Sequence, residues 1–200
     1  MARGAPDVSD PLRLLADDRK KARAAADPWA NLCVLSTIDS SGNPQGRVVV
    51  LRELERRLAI FVNGTSPKHA QLPNSQRHAV LAYFASLGVQ YRLTVSLEPV
   101  PTTIVRRSWL ERPRIPKVMD WLYERLHSQS SEVASREYID NRYAELDDSL
   151  PKSVEAPPHA LGYYLVVEQI ERLELAGDRI HSRQRYRSDG SHWHASELIP

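Results

Sequence analysis

A mainly β fold with flanking helices, organised as one domain, is what this sequence predicts. Three observations carry that reading. The chain has 200 residues, within the roughly 100–200 of a typical domain. Short β-rich runs follow one another at 32–38, 47–54, 58–62, 78–84 and 90–97, with Asp39-Ser40-Ser41-Gly42-Asn43-Pro44 as a tight turn between the first two. Such a series implies an antiparallel barrel or sandwich. Helical patterns lie on either side of it.

In chain order, residues 1–9 read as a flexible N-terminus and 10–200 as the folded domain. Asp10 is placed to cap a helix over 10–26, with Pro11 at its first position. Inside the β-rich stretch, Ser66 can cap and Pro67 can open a short helix. Residues 102–127 and 130–146 read as helices, Pro113 and Pro116 limiting the first. The prolines of 150–158 make a loop. Strands then return at 162–170, 172–175 and 180–186, with a last hairpin around Ser188-Asp189-Gly190.

Composition removes several functions. With 42% apolar and 26% charged residues the chain is an ordinary globular protein, not a collagenous or disordered one. A net charge of +2 gives a weak overall field, so a nucleic-acid partner is not expected and local anion pockets are. The 22 arginines against five lysines suit such pockets, because a guanidinium grips carboxylates and phosphates with a planar fork. No apolar stretch approaches the roughly 20 residues of a membrane helix, and residues 1–7 lack a secretory signal, so a cytoplasmic location is expected. Cys33, the one cysteine, sits in an apolar run and reads as core. His192 and His194 alone make a poor metal site, and no metal is expected. Walker, G-x-G-x-x-G, G-x-S-x-G and H-E-x-x-H motifs are absent.

Three clusters could converge on an anion. Arg47 and Arg52 lie five residues apart, so a regular strand would point them to opposite faces, and a shared ligand would need a bulge or both faces. Ser66 and Lys68 stand at a helix start. Arg179, His181, Arg183, Arg185 and Arg187 alternate, and a continuous strand would put them on one face. That face cannot meet an apolar core, so it lines a pocket, an interface or water.

Read together, these pieces resemble the pyridoxamine 5'-phosphate oxidase family of FMN enzymes. The likeness runs from Asp10-Pro11-Leu12 to Leu198-Ile199-Pro200. It is carried by Asp39-x-x-Gly42-x-Pro44-x-x-Arg47-x-Val49-x-Leu51, Asn63-x-x-Ser66-x-Lys68, Arg112-Pro113, Ser128-Gln129-Ser130-Ser131 and Arg179-x-His181-x-Arg183. The resemblance implies an FMN-binding split β-barrel, working as a homodimer with FMN at the interface. By analogy Arg47, Ser66, Lys68, Gln129 and Ser130 would hold the FMN phosphate. Gln90 and Arg183 would contact the ring, beside the backbone of Val48, Val49, Val50 and Leu51 and near Arg52, Phe61 and Val62. Arg52, Ser108, Arg112, Arg179 and His181 would bind substrate, with Arg179 and His181 as catalytic candidates and O₂ as acceptor.

Several positions depart from the vitamin-making members. Phe61 and Val62 stand for tyrosine and threonine, Leu173 for tryptophan, and Pro67 for an arginine of the FMN phosphate site. In the substrate's phosphate pocket Arg52 replaces lysine, Ser108 tyrosine and Pro116 serine, while Arg112 survives. This resembles the flavin oxidases of phenazine biosynthesis, whose substrates are reduced carboxylated N-heterocycles. An oxidase of that kind is the expectation. Oxidation of pyridoxine or pyridoxamine 5'-phosphate is one alternative, and a non-catalytic flavin-binding protein another.

Overall fold

The computed structural model describes residues 10–200; the terminus expected over 1–9 lies outside the described residues. Helix α1 (Pro11–Ala24) starts as anticipated, with the Asp10 carboxylate accepting the Leu12 N–H at 3.0 Å. Strands β1 (Leu32–Ile38), β2 (Pro44–Val50), β3 (Arg52–Leu54), β4 (Arg57–Asn63), β5 (His78–Phe84), β6 (Val89–Pro99) and β7 (Ala160–Glu174) bond in the order β2-β1-β5-β6-β7-β4-β3.

The two ends of that order are one stretch of chain. The single strand anticipated at 47–54 bends at the buried Leu51, because its first part pairs with β1 and its second with β4. This corner curls the sheet towards a barrel. Arg19 of α1 fastens it, donating to the Ala30 carbonyl at 2.9 Å and to the Leu51 carbonyl. Burial, then the charge of Arg23, brings its guanidinium down to about 10.

The strands anticipated at 162–170 and 172–175 are one strand of 15 residues. One edge of β7 pairs with β6 from Tyr163 to Glu174, across a bulge between Thr94 and Val95. The other edge is divided: Ala160–Tyr164 pair with β4, and Gln169–Glu174 with β8 (Ser182–Ser188), followed by β9 (Trp193–Glu197). The bulge adds local twist, and the divided edge splits the barrel. Arg179 and His181 precede β8, so the one-face alternation holds only from Arg183 onward.

Leu35, Val80, Leu93 and Ile170 form one fully buried row across β1, β5, β6 and β7. Each such side chain contributes about 1.5–3 kcal/mol by leaving water. Leu15 and Ala22 of α1 join this core. Cys33 is buried within it, and desolvation pushes its thiol up to about 12, leaving it unreactive at neutral pH.

The helix anticipated over 102–127 is two helices, α3 (Thr102–Leu110) and α4 (Arg114–Arg125). Pro113 pushes the residue before it out of helical geometry. Pro116 falls in the first turn of α4, where no intrahelical N–H bond is lost. Helix α5 (Arg136–Ser149), capped by Ser135, starts later than the anticipated 130. It packs on α4 through Val118, Leu122, Leu146 and Leu150, a small core of its own. Among the described residues no helix is long and apolar enough to cross a membrane, and no trio of His, Cys, Asp or Glu could hold a metal.

Candidate functional site

A cleft opens where the barrel corner meets the helices. Val49, Val50 and Arg52 come from the corner, Phe61, Val62 and Asn63 from β4, and Leu161 from β7. Val105, Trp109 and Arg112 reach it from α3 and the break that follows, at a spacing that keeps them on one helix face. Lys68, Asp120 and Gln129 complete a cavity of about 200 Å³. Ser108 is on α3 but not on this wall.

Lys68 belongs to α2 (Pro67–Gln71) and donates to Gln129 Oε1 at 2.8 Å. The Gln129 N–H donates to Thr65 Oγ1 at 3.1 Å, docking the loop after α4 against the turn before α2. In that loop Ser130 is exposed, with a φ of 72°. Ser66 is the buried cap of α2: its hydroxyl donates to the Asn63 carbonyl at 2.6 Å and accepts the His69 N–H at 3.3 Å. Its hydrogen is therefore engaged within the turn.

Arg47 and Arg52 do point to opposite faces. Arg47 is on the half-buried face of β2 and is not among the residues lining the cleft, donating to Thr37 Oγ1 at 2.5 Å and Gln71 Oε1 at 2.7 Å. Burial, and next the positive charge of Arg47, hold the Lys68 ammonium below the ordinary lysine range, while Asp120 pulls it back up. Among the described residues neither cation is bonded to a carboxylate. Arg112 is bonded to one: its NH1 donates to Asp120 Oδ2 at 2.6 Å, and its Cζ sits 4.7 Å from the centre of the Trp109 ring.

Gln90, Arg179, His181 and Arg183 lie elsewhere. Gln90 pairs with Leu173 and Leu173 with Arg183, one row across β6, β7 and β8. Arg183, Arg185 and Arg92 all donate to the buried Glu171, at 2.9, 3.1 and 2.5 Å. Burial is the largest influence on that carboxyl and raises it, but its arginine partners together outweigh it, and Glu171 sits below the usual range. Arg179 donates to Glu174 at 2.9 Å, and His181 Nδ1 accepts the Ala176 N–H at 3.0 Å. Leu161 and Leu173 mark the two locations, twelve residues apart on β7, or roughly 40 Å at about 3.3 Å per residue.

Asp120 is a cleft residue that the sequence does not single out. Asp120 interrupts the apolar Val118-Met119 and Trp121-Leu122, a visible anomaly, but nothing in the sequence said that Arg112 would face it.

No protein-family model matches the chain. Over its whole length it is 32% identical to pyridoxine/pyridoxamine 5'-phosphate oxidase 1 of Ralstonia nicotianae, covering 95% of that protein. It is 30% identical to the pyridoxine/pyridoxamine 5'-phosphate oxidase of Burkholderia thailandensis over 90% of this chain and 85% of that one. Among solved structures, PhzG of Burkholderia lata, in complex with tetrahydrophenazine-1-carboxylic acid, superposes with a TM-score of 0.85 at 25% identity, over 98% of this chain and 95% of PhzG. A pyridoxamine 5'-phosphate oxidase-related, FMN-binding protein of Nostoc punctiforme shares the fold, with a TM-score of 0.77 at 19% identity over 96% and 98% of the two chains. The fold, the cleft and the full-length likeness agree that this chain belongs to the pyridoxine/pyridoxamine 5'-phosphate oxidase family.

Proposed function

We propose that the protein is an FMN-dependent oxidase, acting as a homodimer, that dehydrogenates a reduced, carboxylated N-heterocycle with O₂. The observation that carries this reading is the pair Arg47 and Lys68. Lys68 lines the cleft beside the apolar Phe61, Val62 and Leu161, Arg47 is its neighbouring cation, and among the described residues neither is bonded to a carboxylate. That donor set fits a phosphate joined to a flat ring system. Gln129 orients the Lys68 amine, and the apolar wall excludes water. Ser66 is engaged in its cap, and Pro67 offers no N–H, so the phosphate would rest on the two side chains, with Ser130 at the rim. When bound, FMN supplies the redox chemistry, accepting hydride from the substrate and returning electrons to O₂.

Two geometric observations support a second copy of the chain at the site. The cleft's volume is below the roughly 300–1,000 Å³ of a complete small-molecule site, and Gln90, Arg179, His181 and Arg183 are too distant to serve it within one chain. The outer barrel face carries Val48 and Val50, 50% and 43% exposed, apolar surface suited to burial between subunits. Arg179 and His181 of the partner subunit would then stand over the ring. Because His181 Nδ1 accepts a backbone N–H, the neutral imidazole carries its proton on Nε2, ready to donate there.

The carboxylated substrate is favoured by Arg52 and Arg112, by Ser108 lying off the cleft wall, and by the likeness to PhzG. Oxidation of pyridoxine or pyridoxamine 5'-phosphate is the second reading, favoured by the higher identity to those relatives. Oxygen uptake by FMN-loaded protein separates the two. Turnover of a reduced phenazine carboxylate with little on pyridoxine 5'-phosphate is expected; the reverse ranking favours the second reading. A monomer that takes up no FMN would overturn both.

A further inference from the structure

Asp120 is an odd group to find in a pocket built for anions. It is 9% exposed, and it lines the cleft among Arg52, Lys68 and Arg112. Each of its oxygens is held from a different element: Oδ2 accepts Arg112 NH1 at 2.6 Å, and Oδ1 accepts Asn63 Nδ2 at 3.4 Å. Asn63 is itself fixed, its Oδ1 accepting the Thr65 N–H at 2.9 Å and hydroxyl at 2.7 Å. Arg112 cannot easily swing away, because its guanidinium is also held over the Trp109 ring. The carboxylate therefore stays in the cleft when a ligand arrives, and its charge is felt as far as Lys68.

Resting on the reading of the cleft as the FMN and substrate site, we propose that Asp120 is a specificity-determining residue that makes the substrate pocket accept singly charged anions and reject phosphate dianions. The charge balance gives the reason. Arg52, Lys68 and Arg112 line the cleft with Asp120 as the one acidic residue of that lining, and Arg47 adds its charge from beside Lys68. A phosphate monoester on the Arg47 and Lys68 side brings about 1.5–2 negative charges, which leaves roughly one positive charge for the substrate. A monocarboxylate matches that remainder. It can take the Arg112 donors that Asp120 leaves free, since one guanidinium has edges for two carboxylates. A second phosphate dianion would exceed that remainder by about one charge and bring the excess up against Asp120, and like charges in a buried site repel strongly.

The test is made on dimeric, FMN-saturated protein, following the flavin spectrum as ligand is added. The probes are phenazine-1-carboxylate and pyridoxine 5'-phosphate. Asp120→Asn removes the charge and keeps the hydrogen-bonding shape. It is expected to tighten pyridoxine 5'-phosphate roughly tenfold or more, the factor that about 1.4 kcal/mol carries, with little change for the carboxylate; Asp120→Glu is expected to keep the original preference. Equal changes for both ligands, or no gain for the phosphate, would make Asp120 a structural clip and overturn the proposal. A second measurement needs no substitution: the unaltered protein is expected to bind the monomethyl ester of pyridoxine 5'-phosphate, a monoanion, at least as tightly as the dianion. A dianion preferred tenfold, or an FMN-loaded protein that binds none of the probes, overturns it as well. Failure to take up FMN is a different result, since it overturns the oxidase reading itself.

Discussion

Asp18 and Asp120 each hold an arginine, and the two pairs behave as different devices. Asp18 joins α1 to the far end of the sheet: Oδ2 accepts Tyr91 OH at 2.7 Å and Arg172 NH2 at 3.1 Å, and Oδ1 accepts Lys21 Nζ at 3.1 Å. Arg172 NH1 goes on to Glu174 at 2.9 Å. Both carboxylate oxygens and all three arginine nitrogens are committed within the protein, which makes this cluster a clamp. In the cleft, Arg112 commits NH1 to Asp120, and among the described residues its remaining guanidinium donors have no hydrogen-bond partner. The residue types are the same in both places. What separates structure from function is how much hydrogen-bonding capacity the fold leaves unspent.

That contrast is exposed to experiment. The largest effect is expected from Asp18→Ala, which leaves Arg172 mostly buried and removes the acceptor of the buried Tyr91 hydroxyl proton. Stability should fall by about 3 kcal/mol or more, read from urea unfolding; a loss near zero would deny the clamp. Lys68→Met should keep the fold and weaken FMN binding by about 1.5–3 kcal/mol, the worth of a charged hydrogen bond, as measured by flavin fluorescence titration. If stability fell instead and FMN affinity held, the two regions would have been assigned the wrong way round.

Acid should separate the regions next. Burial raises the Asp18 carboxyl, and the bonds from Tyr91 and Lys21 with the charge of Arg172 lower it by more, so it lies below the usual range. Glu171 does likewise. A depressed folded value contributes stability that is present above the unfolded pKa, about 4, and is lost as pH falls through the folded one. Urea midpoints should therefore hold from pH 7 to 5 and drop below about pH 4, with a shallower drop in Asp18→Asn. The smallest effect belongs to Arg107→Ala. Its partner Glu55 is 3.2 Å away with both side chains largely exposed, and such pairs contribute about 0–1 kcal/mol.

Much of this molecule could be read without coordinates. Strands β1 and β5, the Asp10 and Ser66 caps and the last hairpin follow from local periodicity and turn chemistry. Arg47 and Arg52 diverge because side chains alternate along a strand. The misreadings share one cause: at Leu51, at Glu111-Arg112-Pro113 and along Ala160–Glu174, the outcome depends on what the segment pairs with. Asp120 was hidden for the same reason, since its meaning comes from Arg112 and Asn63, eight and fifty-seven residues away in the chain.

From the amino-acid order alone came the β-rich architecture, the family likeness and the inventory of cations able to meet an anion, because each rests on neighbours or on spacing. Only the folded chain decided which cations share a cleft, that Ser66 is spent on its own turn, and that Gln90, Arg179, His181 and Arg183 stand at the opposite end of β7. Those outcomes depend on long-range strand pairing, which fixes distance and direction together, and no local pattern encodes either.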